Sequence, residues 1–483
     1  MEEPGSVRGN CQMVALSDRK IEIVRTLVQS APDKIVGGLQ RALAETGGDT
    51  VLASVRQLVE AEARDRLLRN AVFQPVVPLC VGPSSSNGGS DPHSLVFPAQ
   101  ALTYVWRGLK ATASPEMAAV AAATAAIEKA VATEQRVPDP STAYNAVVKL
   151  AAEGLRAAEQ RDFKTAAEIC ERARPGAADA LAACLDITPI VRRTLPRLAE
   201  WVAQTGDETS APARLAYKDS VAIAEDAGPR FFEMLAAQLT PPWMVLRIIS
   251  AIMDKPTERY LADSELGGFP ERVMAEIDDA LKAISKLDLD GGPDAGRAAG
   301  QLVELITRQT DELEGCIELT RDHGWGHRIV GQKKTLANLV EARLREAEKL
   351  TTAALPMQSS GFARPRKTGP KLDEPPEPRS VRRAMTLLTL AHEIRLCANY
   401  GGFSAMHAKV TEKLAALADH YVEEVLGDLR NGDVANVANA HAFLKIAADV
   451  VGLTRDEKAA ELVRRRAASA CAPPSDSPIV LDA

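Results

Sequence analysis

From Ser17 to Phe73 the apolar residues recur three and four positions apart, the spacing of a helix face rather than a strand. Ile21, Ile23, Val24 and Leu27 begin one amphipathic stripe, and Ile35, Leu39 and Leu43 continue on a second. Val51, Val55, Leu58 and Val59 start a third. Gly47-Gly48 supplies a break and Asp49-Thr50 an N-cap before that last stripe. The pattern predicts about three helices over residues 17–73. Residues 1–16 read as a disordered tail.

Residues 74–98 interrupt the pattern with Pro, Gly and Ser, and read as a crossover loop. Its apolar islands, Val76–Val81 and Leu95–Phe97, are expected to dock on a helical surface and cover their own domain. A partner-binding motif is the alternative.

Residues 99–353 read as a central helical domain. Ser114-Pro115-Glu116 places a cap residue, then Pro at the first helical position, then an acid on the positive end of the dipole. Asp139-Pro140-Ser141 and Thr240-Pro241-Pro242 follow the same logic. The stretch after Thr240 is apolar on nearly all faces, which predicts a buried helix. Two longer helices, Gly296–Arg321 and Arg328–Thr352, joined by a short Gly-containing connection, predict a long antiparallel helical hairpin.

Residues 354–378 are rich in Pro and charge and read as a flexible linker. Helices resume over 379–470 as a C-terminal bundle, and 471–483 reads as a disordered tail. The fold class expected is all-α: a multi-helical array, either a bundle or an irregular α-solenoid, with that hairpin and that bundle.

Composition agrees with this. At 483 residues the chain exceeds one hydrophobic core, so about two to four domains are expected. Hydrophobic residues are 46% but aromatics only 4%. The apolar mass is therefore Ala and aliphatic, which suits packed helices better than strands. The net charge of −7 argues against a dedicated nucleic-acid binder. Seven scattered cysteines with no C-x-x-C pair point to a reducing cytoplasm without a disulfide framework. The N-terminus has no charged start followed by an apolar run, so no signal peptide is expected. The most apolar stretches, Met117–Ile127 and Trp243–Met253, are too short to span a bilayer.

Within residues 150–173, Gly154, Asp162-Phe163, Ala166 and Ala173 fall where a small residue, an inter-helix turn and two close-packing alanines belong in a helical hairpin. This stretch resembles one tetratricopeptide-type hairpin. The resemblance covers 24 residues, without the large first-helix aromatics and without a neighbouring copy, and implies local hairpin chemistry rather than membership of that family.

The most unusual local sequence is His323-Gly324-Trp325-Gly326-His327, at the expected tip of the long hairpin. Two His four apart can share a metal on a helix face, but two glycines between them favour a turn. Trp325 either caps the helix ends or, with His323 and His327, forms a protein-binding tip. His392-Glu393 begins a zinc-protease helix, but Leu396 stands where the second ligand would be. The stretch from Asp288 to Asp294 resembles an EF-hand start but lacks the turn glycine and the final glutamate, leaving an Asx-rich turn. Phosphate-binding glycine loops and nucleophile elbows are absent from the sequence. Arg364, Arg366, Lys367, Lys371, Arg379, Arg382 and Arg383 form a basic run able to neutralise an anion or nucleic-acid backbone. Asp373, Glu374 and Glu377 interrupt it.

The function expected is a non-enzymatic cytoplasmic scaffold, adaptor or regulator that binds a protein partner and needs no cofactor or metal. The alternatives are an enzyme with a composite polar pocket between helices and a nucleic-acid-associated regulator using residues 364–383.

Overall fold

The computed structural model describes residues 18–45, 50–81, 95–203, 207–224, 226–360 and 367–470. The expected tails, 1–16 and 471–483, lie outside the described residues. What is described is all-α, a multi-helical array with only two short strand pairs. Contacts divide the chain into two compact units, Met1–Ile252 and Met253–Ala483.

The first unit opens with α1 (Asp18–Ser30), α2 (Asp33–Glu45) and α3 (Thr50–Val72). Then come β1 (Cys80–Val81) and β2 (Phe97–Pro98), paired in parallel with Cys80 opposite Phe97. The remaining helices are α4 (Ala99–Thr112), α5 (Ser114–Ala132), α6 (Ser141–Ala157), α7 (Arg161–Ala173), α8 (Ala177–Thr194), α9 (Leu198–Ala203), α10 (Asp207–Val221), α11 (Ala227–Ala236) and α12 (Val245–Met253). The crossover docks as its apolar islands predict: Val76, Leu79 and Phe97 are buried. Residues 82–94 lie outside the described set.

Helices α6 and α7 form the hairpin that the tetratricopeptide-like stretch implies. Phe163 of α7 is buried between Gly108 of α4 and Gly154 of α6. Either glycine given a β-carbon would meet the ring, at 2.7 and 2.6 Å respectively. The expected buried stretch after Thr240 is α12, with Val245, Leu246, Ile248 and Ile249 buried. Arg247 interrupts it and donates outward to the Val202 carbonyl at 2.9 Å.

The second unit holds α13 (Glu258–Ala262), α14 (Gly268–Ser285), α15 (Gly292–Cys316) and α16 (Gly324–Ala354). The strand pair β3 (Met357–Ser360) and β4 (Lys367–Pro370) follows. Then come α17 (Pro378–Glu393), α18 (Ser404–Asn431), α19 (Val437–Thr454) and α20 (Glu457–Ala470). The long pair α15 and α16 is present, linked near its turn by Lys333 to Glu314 at 3.0 Å. Farther along, α17 packs against both. Glycines make that approach possible: a β-carbon on Gly296 would strike the Thr386 carbonyl, and one on Gly300 would strike the Glu393 side chain. The described part of residues 354–378 is packed, because Leu372 is buried and its carbonyl accepts from Asn439 at 2.9 Å.

Arginine recurs at the carboxyl ends of helices, where free carbonyls and the negative end of the dipole need donors. Arg66 donates to the Val28, Gln29 and Ala31 carbonyls at the end of α1. Arg192 donates to Val72 at the end of α3. Arg214 reaches Ala251 and Ile252 in α12, and Arg343 reaches Ser285 of α14. Burial pulls the Arg192 guanidinium down to about 10. These four arginines are thus used inside the fold.

Candidate functional site

The 323–327 motif begins α16 rather than crowning an exposed loop. His323 is the N-cap and Gly324 the first helical residue, with φ of +62°, where a β-carbon would collide with the Glu258 carboxylate. That carboxylate is buried at the start of α13 and is aimed at the unsatisfied amides of α16. It accepts from the Trp325 amide through one oxygen, and from Gly326 and Thr320 through the other, both at 3.2 Å. The Trp325 side chain is only 7% exposed, and its indole N–H donates to Glu271. The ring is therefore held inside the second unit and is not presented to solvent. His323 and His327 are exposed.

Around this cap lies a polar seam. Arg328 bridges Glu271 at 2.8 Å and Asp278 at 2.7 Å. Gln332 donates to Asp278 at 2.7 Å and to the Met274 carbonyl at 2.9 Å. Desolvation pushes the Asp278 carboxyl up, but hydrogen bonds from Gln332 and Arg328 outweigh it and hold the group below its ordinary range. The seam joins α14 to α16. Its charged groups pair with one another, as in a structural brace, while the Gln332 side-chain oxygen makes no hydrogen bond among the described residues.

Among the described residues of the basic run, Arg379, Arg382 and Arg383 surround Asp290, while Lys371 pairs elsewhere. Arg364 and Arg366 lie outside the described residues, and Lys367 is placed only as part of β4. Lys371 pairs with Glu374 at 2.9 Å, which raises its pKa. Arg379 pairs with Asp290 at 3.0 Å, and this hydrogen bond holds the Asp290 carboxyl low, with smaller help from Arg383 and Arg382. Asp290 sits in the turn that Asp288 caps through the Asp290 amide, at 2.9 Å. Arg382 is exposed and Arg383 half-buried.

Two histidines and three thiols are engaged within the fold. His392 contacts the Leu453 carbonyl at 3.0 Å and His407 the Ala391 carbonyl at 2.7 Å, near the ends of α19 and α17. Cys80, Cys170 and Cys184 come near one another, but burial pushes Cys170 up to about 11 and Cys184 to about 12. They are thiols rather than nucleophilic thiolates at neutral pH. Among the described residues, no group of three or more His, Cys, Asp or Glu is placed to hold a metal ion. No described helix is long and apolar enough to cross a membrane.

Two features escaped the sequence reading. One is a cleft of about 450 Å³ in the first unit, lined among others by Glu62, Asp65, Arg66, Arg69, Arg107 and Lys110. Arg66, Arg69, Asp65 and Lys110 are already partnered within the chain. Arg66 binds Asp33 and Glu62, while Arg69 binds Asp33 and Thr103. Asp65 accepts from the Trp106 indole at 3.0 Å and Lys110 at 2.8 Å. Arg107 lies over the Tyr104 ring at 5.4 Å. This arrangement ties the α1–α2 turn and α4 to α3. Only the tertiary pairing of residues more than thirty positions apart could reveal it.

The other is the outer side of α1 and α2. Their stripes were read as single apolar faces. The core cluster consists of Val28, Val36, Val59 and Ala63, with Val24, Ala31, Leu43 and Val55 against it. Ile23 and Leu27 of α1, and Ile35 and Leu39 of α2, stay 53%, 62%, 54% and 39% exposed. Each of the two helices has more apolar surface than α3 alone can cover.

No family model, no curated protein and no solved structure matches this chain.

Proposed function

We propose that this protein is a non-enzymatic cytoplasmic scaffold or adaptor that acts by binding other proteins. The observation that supports this reading most is the pair of uncovered aliphatic steps, Ile23 with Leu27 and Ile35 with Leu39. Each pair lies one helical turn apart, the spacing with which helices engage protein grooves and helices. Single exposed aliphatics are ordinary on any surface, whereas two such pairs on successive helices form a candidate contact surface.

The cleft beside Arg66 and Arg69 is the observation that favours the enzyme reading. Its buried arginines and Asp65 are saturated by intramolecular partners, which favours bracing over catalysis.

The test is native mass analysis after mild crosslinking in the source cell. The chain is expected in heterotypic complexes whose partner proteins recur between preparations. Recovery as the bare chain alone, under every gentle condition tried, would sink the proposal.

A further inference from the structure

We infer that the cleft of about 450 Å³ in the first unit binds a free α-amino acid, a small zwitterion whose carboxylate goes to Arg107 and whose ammonium goes to Asp162. The inference goes beyond the scaffold reading and stands or falls separately from it.

The charge of the cleft wall leads to it. Seven charged residues line the cleft, and pairing within the chain engages five of them. Arg66 pairs with Glu62, Lys110 with Asp65, and Arg69 with Asp33 of α2. The two left over are opposite in sign. Arg107 lies over the Tyr104 ring and meets no carboxylate among the described residues. Asp162 accepts from the Gln160 side chain at 3.2 Å and meets no cation among them. Both are half-buried. Partial burial strips hydration from a charge without supplying a counter-charge, so each keeps a demand for one.

The fold holds these two charges at one place. Each stands one position before a partner in the Gly108–Phe163 contact, where a β-carbon on Gly108 would lie 2.7 Å from the ring. They line the same cleft, yet no ion pair joins them. A ligand carrying both charges bridges that gap. The planar guanidinium fork matches a carboxylate, and an aspartate oxygen suits the N–H donors of an ammonium. Two uncharged liners have capacity to spare. The Thr103 hydroxyl accepts from Arg69 at 2.9 Å, and its own proton has no acceptor among the described residues. The Gln29 side-chain amide has no hydrogen-bond partner among them.

Charge and size select the ligand. The seven liners and Asp33 carry four positive and four negative charges, so a net-neutral ligand keeps the wall balanced. An anion alone would leave Asp162 without a cation, and a cation alone would leave Arg107 without an acid. The volume falls among those of small-molecule sites, about 300–1,000 Å³. The buried and paired Arg66 and Arg69 fix the wall before a ligand arrives, which lowers the cost of ordering it.

The experiment titrates the full chain calorimetrically with each of the twenty standard amino acids. At least one is expected to bind at millimolar concentration or below. Its amide, which keeps the ammonium alone, and its N-acetyl form, which keeps the carboxylate alone, should each bind about tenfold more weakly or worse. Arg107→Gln and Asp162→Asn should each weaken the free amino acid by a similar factor, and Arg107→Lys should restore part of the loss. Bound ligand should slow hydrogen exchange within residues 103–111. Neither side chain holds an ion pair, so the variants should unfold at the wild-type urea midpoint. The three ligand forms are compared on the wild-type chain, so they decide the matter even where a variant is destabilised.

No binding by any of the twenty would overturn the inference. Equal binding of the N-acetyl form would make this an anion site, and equal binding of the amide a cation site, and either result overturns it as well. So would protection elsewhere in the chain, or full affinity in both Arg107→Gln and Asp162→Asn.

Discussion

The ring of Phe163 occupies the space that a β-carbon on Gly154 would need, with Cζ 2.6 Å from that point. Gly108 faces the same ring from α4. One aromatic side chain therefore locks three helices through two missing side chains. Phe163→Ala should cost about 3–5 kcal/mol by leaving a cavity. Gly154→Ala should cost about 1–3 kcal/mol by overpacking. In the Phe163→Ala background the Gly154→Ala penalty should vanish, because the clash has gone. Urea unfolding of the four proteins checks this, and strictly additive losses would refute the contact.

Glu258 caps α16 from a position 67 residues before Trp325. Glu258→Ala leaves the amides of Thr320, Trp325 and Gly326 without their acceptor. The expected loss is about 3 kcal/mol, since three amide donors lose a buried carboxyl acceptor at once. Faster hydrogen exchange at Trp325 and Gly326 should accompany it. Unchanged exchange at both amides would show that the cap is not made in solution.

Acid should weaken the second unit partly through Asp278. Its carboxyl is held below the ordinary value of about 3.9. A depressed acid stabilises the fold wherever the unfolded chain would already be ionised. The contribution is thus complete at neutral pH and is lost as pH falls below about 4, through the folded-state pKa. Asp278→Asn should lower stability at neutral pH and flatten the fall on acidification. A stability–pH curve merely offset from wild type, with the same slope, would argue against the linkage.

Tyr421 is buried in α18 with its hydroxyl lacking a hydrogen-bond partner among the described residues, and burial raises its pKa. Removing that oxygen removes an uncompensated desolvation. Tyr421→Phe should therefore raise stability by about 1 kcal/mol. A lower urea midpoint would mean that the hydroxyl has a partner in solution.

Helix identity and position were written locally in this chain. The three-to-four spacing of aliphatic residues, the Pro115-Glu116 helix start and the Asp288 turn need no distant partner, because such signals act within one or two turns, although Ser114 is itself the first helical residue, behind Ala113, and makes no capping bond. The crossover docking of Val76, Leu79 and Phe97 was legible from its apolar islands. Which way each face turns was not. Trp325 points inward because Glu258 and Glu271 meet it from other helices, and Leu27 stays outward because α3 covers only one side of α1. Arg66 and Arg192 close helix ends far along the chain, which nothing in their own sequence neighbourhoods marks. Periodicity marks that a surface is apolar, and composition marks that a charge exists. What covers the surface and what pairs with the charge depend on contacts tens of residues apart, which only the packed chain brings together.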